Sequence, residues 1–200
     1  MKNKLYIIIL FILILQSCLN MTEPEHQAQY IESYKSFNKE LISHFPKKVP
    51  NNCISATYGS PKYINEYSSF TEFSLTIQIS SKEKFEKLKS QLEKDAKVIK
   101  NSMDSCLIIV DSKENQNTMS CDKYYPIPQE TIFEYDNKND KRLRLENCEI
   151  ALIDYKSGIF IKSKYLTRKE SLPENWENGY SKGYAFNNNK QTIMYWLIIW

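Results

Sequence analysis

The chain has 200 residues with 27 basic and 24 acidic side chains, a net charge of +3, and so lacks the concentrated basic field that a nucleic-acid partner requires. Four glycines and two histidines leave little material for phosphate-cradling loops, a dinucleotide fingerprint or histidine-based metal and triad chemistry. The length is that of one domain with enough chain to bury a core.

Lys2 and Lys4 precede an apolar run over residues 5–15, interrupted only by Tyr6 and closed by Leu15-Gln16-Ser17-Cys18. A permanent membrane span needs about 20 apolar residues, so the run is too short for one. A basic start, a short apolar segment and a small residue before the cut describe a cleaved secretory signal. The tetrad resembles the lipobox of bacterial lipoproteins, with Leu15 three residues before Cys18 and Ser17 one before it; Gln16 stands where a small residue is commoner. The resemblance implies removal of residues 1–17, a diacylglycerol on the Cys18 thiol, and acylation of the new amino group by a fatty acid such as palmitate. At about 0.8 kcal/mol per buried methylene, two or three chains make a stable membrane anchor. Leu19, in place of Asp, implies the outer membrane, on its periplasmic face or at the cell surface. Residues 18–27 then form the lipidated N-terminus and tether, and 28–200 a single α+β domain.

In chain order, Tyr30, Tyr34, Phe37, Leu41 and Phe45 recur at helical spacing and predict an amphipathic helix over 26–45, ended by Pro46. Residues 47–67 read as loop with a short strand at 54–58. Phe73, Leu75, Ile77 and Ile79 alternate with polar residues, the period of a half-buried strand, and Ser80 with Glu83 forms a capping-box pattern. A second helix follows to about residue 100, its apolar face running through Phe85, Leu88, Leu92, Ala96 and Ile99. Residues 107–110 predict a buried strand, giving a β-α-β unit if both strands share a sheet in parallel. Residues 111–122 read as a polar loop, 124–128 as a Pro-bounded turn, 136–144 as a charged turn, 149–155 as a strand and 159–163 as its return. Gly179-Tyr180-Ser181-Lys182-Gly183 precedes a strand at 184–186, an Asn-rich turn at 187–189 and a terminal strand at 192–200, apolar on both faces and hence expected deep in the sheet. The fold class is therefore α+β: two amphipathic helices on a mainly antiparallel sheet with a C-terminal β-hairpin.

Setting Cys18 aside, Cys53, Cys106, Cys121 and Cys148 form an even set of disulfide candidates in an exported chain. Three pairings are open, as are buried free thiols; Cys106 with Cys121 would close the polar loop 112–120. There is no Cys-x-x-Cys, and no metal or other cofactor is expected.

Residues 173–200, with Trp176, the Gly179 to Gly183 stretch and Tyr195-Trp196-Leu197-Ile198-Ile199-Trp200, are similar to the C-terminal block of uncharacterised small lipoproteins from Gram-negative gut anaerobes, a resemblance that implies no activity. His26 and His44 read as surface histidines. Asp104, Asp111, Asp154, Glu146 and Glu149 supply carboxylates, and no spacing pairs them. The segment from Asp136 fails as a calcium loop, with Lys141 at the glycine position and Asn147 at the closing acid. Most aromatic residues fall on core stripes; Trp176, Tyr180 and Tyr184, in or beside a loop, are the binding candidates. No catalytic residue is nominated. The expectation is a membrane-anchored, non-enzymatic module that binds an envelope protein or, as an immunity-type inhibitor, an incoming toxin. The alternatives are an envelope hydrolase with paired carboxylates and a carbohydrate-binding module.

Overall fold

A strand that is apolar on both faces must be covered on both, and this requirement organises the fold. The computed structural model describes residues 23–64, 70–110, 121–136, 141–161 and 172–200. The expected leader, Cys18, the loop 112–120 and the end of the expected strand at 159–163 lie outside the described residues. The helices are α1 (Pro24–Ser36), α2 (Lys39–Ile42) and α3 (Lys82–Leu92). The strands are β1 (Cys53–Tyr58), β2 (Thr71–Gln78), β3 (Val98–Asn101), β4 (Leu107–Ile109), β5 (Tyr125–Ile127), β6 (Phe133–Asp136), β7 (Lys141–Arg144), β8 (Cys148–Ser157), β9 (Gly179–Asn187) and β10 (Thr192–Ile199). Six of them form one antiparallel sheet in the order β1-β2-β10-β9-β8-β3, and the C-terminal hairpin β9-β10 lies at its centre.

The alternation along β10 divides the core. Ile193, Tyr195, Leu197 and Ile199 face the helices with Phe73, Leu75 and Ile77 of β2 and with Tyr30, Phe37, Phe45 and Phe85 from the helical layer. Met194, Trp196, Ile198 and Trp200 face a second layer containing β4, Ile127, Ile132, Leu172 and Trp176. β9 alternates in size to match. Gly179, Ser181, Gly183 and Ala185 line the second face and Tyr180, Lys182, Tyr184 and Phe186 the first, because a residue and its cross-strand partner on β10 share a face. The small side chains make room for two indoles: a Cβ on Gly183 would lie 2.7 Å from the Trp196 ring and 2.2 Å from the Ala151 oxygen, and one on Gly179 2.9 Å from the Trp200 ring. Trp200 Nε1 donates to the Trp176 oxygen at 2.8 Å, which satisfies the buried indole.

Several sequence expectations are corrected. The helix expected over 26–45 breaks at Phe37 (φ −92°, ψ 157°), and Asn38 caps α2 by accepting from Glu40 N at 3.0 Å. A short amide side chain competes for backbone donors and so favours a cap over a helix interior. The break lets Tyr30, Phe37 and Phe45 all meet Phe73, at ring distances of 5.1, 5.8 and 4.8 Å. Helix α1 begins at Pro24, within the segment expected as a tether, and the Gln27 amide exchanges two hydrogen bonds with the backbone of Val49, at 2.9 and 3.2 Å.

Helix α3 is capped by Ser81 rather than Ser80, and it stops at Leu92, so that Ile99 lies in an edge strand. β4 is buried as expected, but it pairs in parallel with β5, within the segment expected to be a turn, and not with β2. The crossover from β2 through α3 leads instead to β3, which runs parallel to β2 in the same sheet with β10, β9 and β8 between them. Of the segment expected to be a charged turn between strands, residues 141–144 form β7, which pairs antiparallel with β6, and 137–140 lie outside the described residues. The hairpin turn places its positive φ at Gln191 (52°), not at an asparagine.

Candidate functional sites

Trp176, Tyr180 and Tyr184 are 7%, 6% and 1% exposed. Their rings pack in the two core layers, Trp176 against Trp200 at 6.2 Å and Tyr184 edge-on to Tyr195 at 5.2 Å, so they form no stacking platform for a ligand. The loop-like glycines of the sequence conceal the start of β9, which turns Tyr180 and Tyr184 inward, while Trp176 is buried from the 3-10 turn Glu174–Trp176. Cys106 and Cys121 are joined by a disulfide. Cys53 and Cys148 are free thiols; they lie on strands four positions apart in the sheet, about 19 Å, so no bridge links them. Burial pushes the Cys53 thiol up to about 11 and that of Cys148 up to about 12, which leaves both unreactive at neutral pH.

His44 is not the surface histidine expected. It is half-buried, with its ring 4.4 Å from Phe45 and 5.8 Å from Tyr184, and desolvation lowers its pKa to about 3. Beside it, on the helix-facing side of the sheet, lies a polar cluster. Lys182 is only 8% exposed and donates to the Glu40 oxygen; burial holds its pKa below the usual lysine range. Asp154 accepts from Lys97 at 2.5 Å and from the Tyr180 hydroxyl at 2.5 Å. Burial pushes Asp154 up, but these bonds outweigh it and hold the carboxyl below its usual value. Each principal charge here has a partner, and the arrangement is that of a cross-braced structural network.

The opposite face holds a carboxyl pair that no sequence spacing marked. Glu72, on β2, is buried with Oε1 unpartnered among the described residues, and desolvation followed by the nearby Glu130 charge raises its pKa to about 8. A like charge beside a buried carboxyl favours its protonated form, so Glu72 is held neutral at pH 7. Nearby is a cleft of about 260 Å³ lined by residues that include Ile54, Ser55, Thr76, Glu130, Cys148 and Met194.

The cleft adjoins β1, one of the two edges of the large sheet. The other edge, β3, is four residues long and is guarded by Lys97 and Lys100, the usual protection against edge pairing. β1 has six residues with no charge and no proline, and Ile54 is 54% exposed. Gly59 N donates to the Glu72 oxygen at 2.8 Å, so the strict alternation of an antiparallel ladder directs Thr57 and Ser55 at β2 and the N–H and C=O of Ala56 outward. A bulge between Cys53 and Ser55 inserts Ile54 beside the cleft. Among the described residues no strand pairs with this edge.

No protein-family model matches the chain, and no curated protein or solved structure matches it either.

Proposed function

We propose that this is an envelope lipoprotein, anchored through Cys18, whose domain captures an extended segment of a protein partner along β1. The observation that carries the binding reading is the contrast between the two edges of the sheet. An unguarded strand offers a backbone ladder, and the adjacent cleft beside Ile54 receives side chains of the added strand, the two elements of strand-addition recognition. The partner is an envelope protein or, in the immunity-type version, an exposed strand of an incoming toxin.

The lipobox-like tetrad supports the anchor, and the Cys106–Cys121 disulfide is consistent with an oxidising compartment. Because α1 begins at Pro24, residues 19–23 alone separate Cys18 from the folded domain, a reach of roughly 18 Å when extended. The domain would thus be held close to the membrane surface. Among the described residues no helix is long and apolar enough to cross a membrane. Labelled palmitate is expected to enter the wild-type protein and not a Cys18→Ser variant; label in both, or in neither, would contradict the anchor.

A further inference from the structure

A second recess, of about 290 Å³, lies between α1 and the end of β1, lined by Gln29, Glu32, Ser33, Ser36, Tyr58, Ser60 and Lys62. The α1 residues recur at the spacing that puts them on one helix face, and Lys62 enters through the 3-10 turn Pro61–Tyr63 that Ser60 caps. A side chain at Gly59 would collide with the Glu72 oxygen at 2.0 Å, so glycine is what lets the chain turn from β1 into this wall.

The hydrogen-bond inventory of the wall identifies its ligand chemistry. Ser33 donates to the Gly59 oxygen, Ser36 to the Ser33 oxygen at 2.6 Å, and Ser60 to the Ser36 hydroxyl at 2.9 Å. Each serine hydroxyl has one hydrogen, and all three are used within the wall. What the serines retain are acceptor lone pairs, and the Glu32 carboxylate adds further acceptors. The Tyr58 hydroxyl is buried without a partner among the described residues, a costly arrangement unless something enters to pair with it. Lys62 and the Gln29 amide add donors to these acceptors, so the lining complements hydroxyl groups, which both donate and accept. The charges of Glu32 and Lys62 offset one another, which favours neither an anion nor a cation. The volume suits one sugar ring and is too small for a chain of them.

We infer that this recess binds a single neutral sugar residue, either free or at the end of a glycan. Titration calorimetry and saturation-transfer NMR on the full chain test it, using methyl glycosides of glucose, galactose, mannose and N-acetylglucosamine, trisaccharides ending in the same residues, and inorganic phosphate. At least one glycoside or trisaccharide is expected to bind. Binding by the glycoside alone would mark a free-sugar site, and by the trisaccharide a glycan end. Tyr58→Phe and Ser36→Ala, made separately and checked for an unchanged melting temperature, are each expected to weaken binding about tenfold. Absence of binding across the sugars, unchanged affinity in both variants, or a preference for phosphate would overturn the inference.

Discussion

His44 donates its Nε2–H to the main-chain oxygen of Trp196, 2.9 Å away and 152 residues further along the chain, and so ties the end of α2 to the central strand. A carbonyl only accepts, so the bond fixes the neutral tautomer that carries its hydrogen on Nε2. The folded protein holds the imidazole pKa at about 3, below its ordinary value of about 6.5. Between these values the unfolded chain binds the proton and the native state does not, so stability falls as pH drops through that window. His44→Gln keeps a donor and cannot titrate. Urea denaturation at pH 7 and pH 4 should show the wild type losing on the order of 2 kcal/mol more than the variant across this interval. Equal losses would remove His44 from the acid response.

Glu72 gives the opposite sign. Its pKa is raised to about 8 by burial and by Glu130, so between the ordinary carboxyl value and pH 8 the native state holds a proton that the unfolded chain has released. Stability should therefore decline as pH rises from about 4.5 to about 8. Glu72→Gln should flatten that decline and raise the melting temperature above pH 8, as measured by thermal denaturation across pH 5 to 9. A Glu72→Gln profile parallel to wild type would show that Glu72 does not set the decline.

The small side chains of β9 are a steric requirement. A methyl group at Gly183 would overlap the Ala151 oxygen and the Trp196 ring, both of which are fixed by packing. Gly183→Ala is expected to cost about 3 kcal/mol and lower the melting temperature by roughly 6–12 °C, readable by calorimetry. A loss below 1 °C would mean that Trp196 can move aside.

This strand also shows what was legible in the sequence. β10 could be read as a deep strand from its unbroken apolar run, and the hairpin from the asparagines before it. The end of β9 could be read as a strand at 184–186, but its first half was hidden because Gly179 and Gly183 signal a turn when read one at a time. Its true pattern is small and large side chains in alternation over Gly179–Asn187, a period of two in volume rather than hydrophobicity. The missed first half of this strand is why Tyr180 looked available for binding; Trp176, in the turn Glu174–Trp176, and Tyr184 are buried by the layers packed on the two faces of the sheet. The Glu72–Glu130 pair was not legible, since its partners are 58 residues apart and meet only when the second layer folds over the sheet. The edge at β1 could not be told from an inner strand, because edge position depends on strand order.

The Cys106–Cys121 bridge closes a loop of sequence separation 15 beside the β4-β5 pair, where Tyr125 N donates to the Cys106 oxygen at 2.9 Å. Replacing both cysteines by serine should cost about 3 kcal/mol in denaturant unfolding under oxidising conditions, and added reductant should bring the wild type to the same stability. Wild-type stability that ignores reductant would contradict the staple.

The account rests most heavily on β1. Extended peptides selected from a display library against the full chain can be titrated into isotope-labelled protein while the backbone amides are followed by NMR. The largest shifts are expected within Cys53–Tyr58, and Ala56→Pro, which removes an outward donor while leaving the β2 ladder intact, should abolish binding without lowering the melting temperature. Shifts that avoid β1, or peptides that bind the proline variant as tightly as wild type, would contradict capture at this edge.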